Sequence, residues 1–148
     1  MSRQGFSMIE ILAVLTIVAI LATLAFPRIS QWGTRNKASR ALNLVATDVS
    51  FTRMRAIRGG NSATIRFSNT GYTISVLGTG TAVNVLKTVD LTAEYPNIRI
   101  TTSPATAQSL VYDSRGLFRS GPTHVVVQTG GVRDSITITA LGKVDRAR

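Results

Sequence analysis

An uncharged run at residues 11–26, ILAVLTIVAILATLAF, constrains this chain more than anything else in it. Only Thr16 and Thr23 interrupt its apolar character. Extended back through residues 6–8, it reaches about the ~20 residues that a helix needs to cross a bilayer. A helix that is apolar on every side has no solvated face, so lipid or other apolar helices must cover it. No other stretch of the sequence approaches this length, so the chain makes at most one membrane pass.

Ahead of the run stands a polar leader, Met1-Ser2-Arg3-Gln4-Gly5, with one positive charge. A secretory signal has this order, and Thr23-Leu24-Ala25 loosely fits its small-residue cleavage site. On that reading the mature chain begins after Ala25. Glu10 argues otherwise. A carboxylate inside an apolar span typically costs about 2.5–3.5 kcal/mol on insertion, and a segment destined for removal gains nothing from that cost. An acid at this depth is a functional residue that needs a cation as its partner.

Gly5-Phe6-Ser7-Met8-Ile9-Glu10, followed by the apolar run, resembles the prepilin signature of type IV pilins and pseudopilins. Pro27 stands where many pilins carry a helix-kinking proline. The resemblance implies that a prepilin peptidase cuts between Gly5 and Phe6 and that the freed amine of Phe6 is methylated. The cut precedes the apolar run, so residues 6–27 remain as an inner-membrane anchor and, after assembly, as filament core. The head would lie in the periplasm, and the partners would be other pilins or pseudopilins and membrane lipid. Physical chemistry fits this arrangement: Glu10 of one subunit and the Phe6 amine of its neighbour relieve each other's desolvation. A plain single-pass anchor, with Glu10 reaching toward the headgroups, is the simpler alternative.

Beyond residue 28 the chain keeps a helical rhythm. On a wheel of about 100° per residue, Ala38, Ala41, Val45, Ala46, Val49, Ala56 and Ile57 fall on the side of Leu42. Lys37, Arg40, Arg55 and Arg58 fall opposite; Arg53 breaks the pattern on the apolar side, and Leu44 and Phe51 lie among the charges. The spacing predicts one helix to about Arg58, with a kink or local melt at Pro27, ended by Gly59-Gly60. The period then changes. Strands are expected at 62–67 and 72–77 around the turn Asn69-Thr70-Gly71, and at 83–91, 98–101, 110–112, 117–119, 124–128 and 135–140. The fold class is α+β: a long helix, 28–60 in its amphipathic part, laid on an antiparallel sheet head at 61–148.

Three further pieces resemble the GspH/FimT class of minor pseudopilins: LNLVATDVSFTRMRAI at 42–57 with Ile65-Arg66-Phe67, Tyr112-Asp113-Ser114-Arg115-Gly116, and a last strand followed by Gly142-Lys143-Val144. That implies a low-copy subunit of a type IV pilus or, alternatively, of a type II secretion system contacting exoprotein cargo. Some members of this class bind DNA through a basic C-terminal tail of the Gly-Arg-x-Arg kind. Here Gly142 matches, Lys143 replaces the first cation, Asp145 stands where the second belongs, and Arg146 and Arg148 follow. Lys143, Arg146 and Arg148 are therefore the candidate DNA-binding residues. The charge supports a polyanion partner: 17 basic against 7 acidic residues give +10, and the whole excess lies from Arg28 onward. Anionic headgroups and acidic filament neighbours are the competing uses of that charge.

Enzyme readings find little. With no Cys there is no thiol nucleophile, disulfide or Cys-based metal site, and one His excludes a His-only metal site. His124 lies in an alternating strand; Asp113, Ser114 and Arg115 form a turn rather than a triad; Gly78-Thr79-Gly80 lacks the Lys of a phosphate loop. Asp90 and Glu94 alone specify nothing, and Trp32 reads as an interfacial anchor. No enzymatic activity, cofactor or metal is implied.

Overall fold

The computed structural model describes residues 7–78, 80–119 and 121–146, without the side chains of 24–31. Among them are a 52-residue helix, α1 (Met8–Gly59), and eight strands: β1 (Ala63–Phe67), β2 (Gly71–Leu77), β3 (Val83–Asp90), β4 (Arg99–Ser103), β5 (Ser109–Tyr112), β6 (Thr123–Thr129), β7 (Val132–Ile138) and β8 (Val144–Arg146). The chain divides into two compact units, Met1–Thr34 and Arg35–Arg148.

In the first unit α1 begins directly after Ser7, whose carbonyl accepts the N–H groups of Glu10 and Ile11 at 3.0 and 3.2 Å. Serine is a favoured residue ahead of a first turn, and Glu10 lies within that turn, where the helix dipole favours a negative charge. The described side chains of residues 8–23 are exposed all round the helix; Leu12 and Leu15 are each 62% exposed. Thr16 and Thr23 turn their hydroxyls back onto the carbonyls of Leu12 and Ile20, at 2.5 and 2.7 Å. Among the described residues no helix is long and apolar enough to cross a membrane. The described side chains of the run stop at Thr23, whereas the uncharged sequence continues to Phe26. α1 runs through Pro27 without a break, so the expected local melt is absent.

In the second unit the stripe of α1 that faces the core is Ala38, Ala41, Leu42, Val45, Val49 and Ala56, all fully buried. The helix ends at Gly59, and Gly60 follows with φ 63°, a left-handed C-terminal stop that glycine takes without strain. Ile57, expected on the buried side, is 49% exposed.

The strands form two four-stranded antiparallel sheets where one was expected, in the orders β3-β2-β1-β5 and β4-β6-β7-β8. The chain leaves the first sheet for β4, returns for β5, and then builds the rest of the second. Alternate residues of both turn inward: Ala63, Ile65 and Phe67 on β1, Val125 and Val127 on β6, Ile136 and Ile138 on β7. With the α1 stripe they make a single apolar core. β3 is an edge with no buried residue. Its register slips between Ile74 and Ser75, which pair with Lys87 and Val85 and leave Leu86 bulged. A bulge and a lysine on an edge discourage pairing with a foreign strand.

All but one of the expected strands are present, with shifted ends. The exception is 117–119, where only a single bridge joins Phe118 to Tyr112. Asp113 Oδ1 takes the N–H groups of Arg115 and Leu117 at 3.0 and 2.8 Å, so a turn uses backbone groups that a strand would need. β8 lies within the expected tail, where no strand was foreseen.

Candidate functional site

Of the expected N-terminal residues, the structure describes Glu10; Gly5 and Phe6 lie outside the described residues. Glu10 is exposed in the first turn of α1, and no cation among the described residues pairs with it. It is the one charge on an otherwise uncharged surface at 8–23.

Two of the three expected tail cations are described, and both are engaged within the head. Lys143 Nζ lies 2.9 Å from Asp145 Oδ1. Arg146 pairs with Asp134 of β7, and its guanidinium also donates to Ser39 Oγ at 2.8 Å and Asn43 Oδ1 at 3.4 Å on α1. This fork ties β8 to both the helix and its neighbouring strand. Arg148 lies outside the described residues.

The sequence pieces at 112–116 and 142–144 meet around Arg53, the cation out of place on the helical wheel. Arg53 Nε donates to the Gly116 carbonyl at 3.0 Å. Gly116 and Gly142 both have positive φ, 76° and 73°. A Cβ on Gly142 would stand 2.8 Å from both the Gly116 carbonyl oxygen and the Tyr112 ring, and one on Gly116 would meet Ile57 at 2.6 Å. Close approach and left-handed backbone together require glycine at both positions. The Tyr112 hydroxyl is buried without a hydrogen-bond partner among the described residues, and burial pushes its pKa up to about 12 against a smaller opposing pull from Arg53.

Beside this junction a groove of about 590 Å³ opens between α1 and the turn into β8. Arg53, Arg58 and Lys143 supply its charge, and Met54, Ile57 and Val144 its apolar wall. Met54 and Ile57 are each about half exposed.

Sequence reasoning missed a buried polar cluster that clamps α1 to the first sheet. Asp48 is only 5% exposed, and its Oδ2 accepts both Tyr72 Oη and Lys87 Nζ at 2.6 Å. Burial and the adjacent Asp48 carboxylate raise the Tyr72 pKa well above the usual phenol value. The available signal was a carboxylate at the wheel position of Val45, Val49 and Thr52; its partners are 24 and 39 residues away.

The residues weighed for catalysis do not converge. His124 Nδ1 lies 2.9 Å from Thr137 Oγ1 on an exposed face. Asp90 caps the next turn, and the Thr92 N–H and hydroxyl hold its carboxyl below the usual range. Among the described residues no group of three or more His, Cys, Asp or Glu could hold a metal ion.

A helix that is apolar all round at 8–23 apart from Glu10, and further along packed on antiparallel strands, has the α+β architecture of the pilin-like class. Residues 1–26 match the prokaryotic N-terminal methylation motif, and residues 41–142 match the family of the type II transport protein GspH. The chain belongs to that GspH family, whose members are structural subunits rather than enzymes. Among solved structures, the type IV minor pilin FimU of Pseudomonas aeruginosa superimposes with a TM-score of 0.65 at 15% identity, over 77% of this chain and 90% of that one. The minor pseudopilin EpsH from the type 2 secretion system of Vibrio cholerae gives 0.60 at 13% identity, over 75% and 96%. Identities this low speak to fold alone. No curated protein matches the chain.

Proposed function

We propose that the chain is a minor subunit of a type IV pilus or a type II secretion pseudopilus, cut between Gly5 and Phe6 and methylated on Phe6. Residues 6–27 hold it in the inner membrane with the head in the periplasm, and later in the filament core. There Glu10 pairs with the Phe6 amine of a neighbouring copy or a related subunit. One observation carries the reading: the apolar surface of α1 at 8–23 bears a single charge, Glu10, in its first turn and without an ion-pair partner among the described residues. The two threonines on that surface satisfy their own hydroxyls, which leaves Glu10 as the group that needs a neighbour. The test is the mass of the mature chain. It should lack residues 1–5 and carry one added methyl group; a chain that begins after Ala25, or keeps its first five residues, overturns the proposal. Deletion separates the two machines: loss of piliation or transformation marks the pilus, and loss of exoprotein export marks the secretion system.

A second reading is sequence-independent DNA capture during uptake, supported by the net charge of +10. The hold of Asp134, Ser39 and Asn43 on Arg146 weighs against the tail as the contact surface. If the tail does bind, replacing Lys143, Arg146 and Arg148 together by Ala lowers affinity, and the log–log salt slope falls by about one per lost phosphate contact. Unchanged fluorescence anisotropy titrations at two salt concentrations would remove the tail from consideration.

A further inference from the structure

We propose that the groove between α1 and the turn into β8 is a docking site for an acidic segment of a neighbouring filament subunit, one that carries a large apolar side chain beside a carboxylate. The inference rests on the subunit reading above and names the chemistry of that subunit's partner.

Charge complementarity selects the occupant. Arg58 has no ion pair among the described residues, and Lys143 pairs only with Asp145, which is itself half exposed. Arg53 commits its Nε to the Gly116 carbonyl, which fixes its guanidinium at the groove wall. Cations held in place lose less freedom on binding a carboxylate than free ones do. The apolar half of the groove decides among anionic partners. Met54, Ile57 and Val144 offer surface that an aliphatic or aromatic side chain would remove from water. A phosphodiester backbone has nothing to place there. A second copy of this chain fits poorly, because Asp48, Asp134 and Asp145 are already ion-paired and the carboxyls of Asp90 and Asp113 hold their own turns. Gly142 adds rigidity: its close packing on Gly116 and Tyr112 fixes the turn that forms the far wall.

The test uses the full chain in non-ionic detergent micelles, labelled on Ile and Met methyl groups for NMR. The probes are a short peptide alternating glutamate with leucine and phenylalanine, an oligoglutamate of equal charge, and a short DNA duplex. The mixed peptide should displace the Met54 and Ile57 methyl resonances. Its affinity should fall about tenfold or more when Arg58→Ala and Lys143→Ala are combined. Arg66→Ala, on the exposed face of β1, should leave the affinity unchanged. The methyls of Ile65 and Ile74, buried in the core, report whether each variant is still folded. The proposal is overturned if the mixed peptide displaces neither groove methyl, if the double variant binds as tightly as the parent, or if oligoglutamate or the duplex acts as strongly at those methyls. A groove silent in a chain whose mature form begins at methylated Phe6 removes this inference and spares the subunit reading. Failure of that N-terminal mass removes the subunit reading whatever the groove does.

Discussion

Removing the Asp48 carboxylate should loosen the clamp between α1 and the first sheet by an amount the geometry bounds. Asp48 Oδ2 is the acceptor for both Tyr72 Oη and Lys87 Nζ. In Asp48→Ala the Tyr72 hydroxyl, on a residue 2% exposed, is stranded without an acceptor, which costs about 1–3 kcal/mol. Lys87 is 42% exposed at its side chain and returns to water, so its share is below about 1 kcal/mol. Two effects oppose the loss: the carboxylate no longer has to be buried, and Ala is the better helix former by roughly half a kcal/mol. The balance is a loss of about 2 kcal/mol, or about 8 °C in Tm for a unit of this size. Tyr72→Phe leaves no stranded hydroxyl and should lose about 1 kcal/mol. The two side chains share one hydrogen bond, so the double variant should lose about 1 kcal/mol less than the sum. Urea unfolding followed by near-ultraviolet circular dichroism reads all four corners of the cycle. An Asp48→Ala variant within about 0.5 kcal/mol of the parent, or losses that simply add, would refute the clamp.

Other perturbations test other parts of the molecule. Tyr72 and Tyr112 both have pKa values raised by burial, so their ionisation takes nothing from stability below pH ~10, and each removes about 1.4 kcal/mol per pH unit above it, Tyr112 until about 12. Tyr112→Phe abolishes one of these slopes and, by removing an unpartnered buried hydroxyl, should gain about 1 kcal/mol at neutral pH in the same urea assay. Gly142→Ala forces a Cβ against backbone and ring at positive φ and should cost more than about 2 kcal/mol, whereas Gly121→Ala, in open space, should stay within about 0.5 kcal/mol of the parent by urea unfolding. If Glu10 pairs with the Phe6 amine as proposed, Glu10→Ala leaves that amine unpaired in an apolar filament core, a loss of about 3–5 kcal/mol, so sheared filaments should contain less than about one-hundredth of the usual amount while the Tm of the head is unchanged.

The parts of this fold legible in the sequence are those set by local period and by glycine. The stop at Gly59-Gly60 and the alternating residues of β1, β2, β6 and β7 follow from short-range rules. The division into two sheets does not, because inward and outward residues alternate in the same way whichever sheet a strand joins. What decides it is the exit to β4 and the return of β5, a long-range pairing. β8 was hidden for another reason: Val144-Asp145-Arg146 has no alternation of its own and is held by the reach of Arg146 to Asp134, Ser39 and Asn43. Arg53 was visible as an anomaly, but its carbonyl partner lies 63 residues away. Gly142-Lys143-Val144, read in the sequence as the start of a basic tail, also forms one wall of a groove.

That difference moves the electropositive surface. The sequence places its excess of cations in the head without saying where they act. Asp134 and Asp145 neutralise Arg146 and Lys143 locally, and Asp48 holds Lys87, so three of the head's carboxylates are spent on β3, β7 and β8 and their partners. Net charge is conserved by such pairing, and so the unbalanced cations must lie elsewhere. Arg35, Lys37, Arg40, Arg55 and Arg58 are exposed on α1, and none has an ion pair among the described residues; Arg55 instead lies over the Phe51 ring, 5.3 Å from its centroid. Field strength near a surface falls off within about 10 Å at 0.1 M salt, so a negatively charged partner is attracted by the local excess rather than by the sum over the molecule. On α1 the row of exposed cations ends at the groove, where Arg58 stands beside the apolar wall of Met54 and Ile57, and Arg66, Arg99, Arg115, Arg119 and Arg133 add exposed cations without an ion pair on the strands and turns. An acidic subunit that approaches along α1 therefore reaches the groove past a row of unpaired cations, whereas the tail offers Arg146 already held by Asp134.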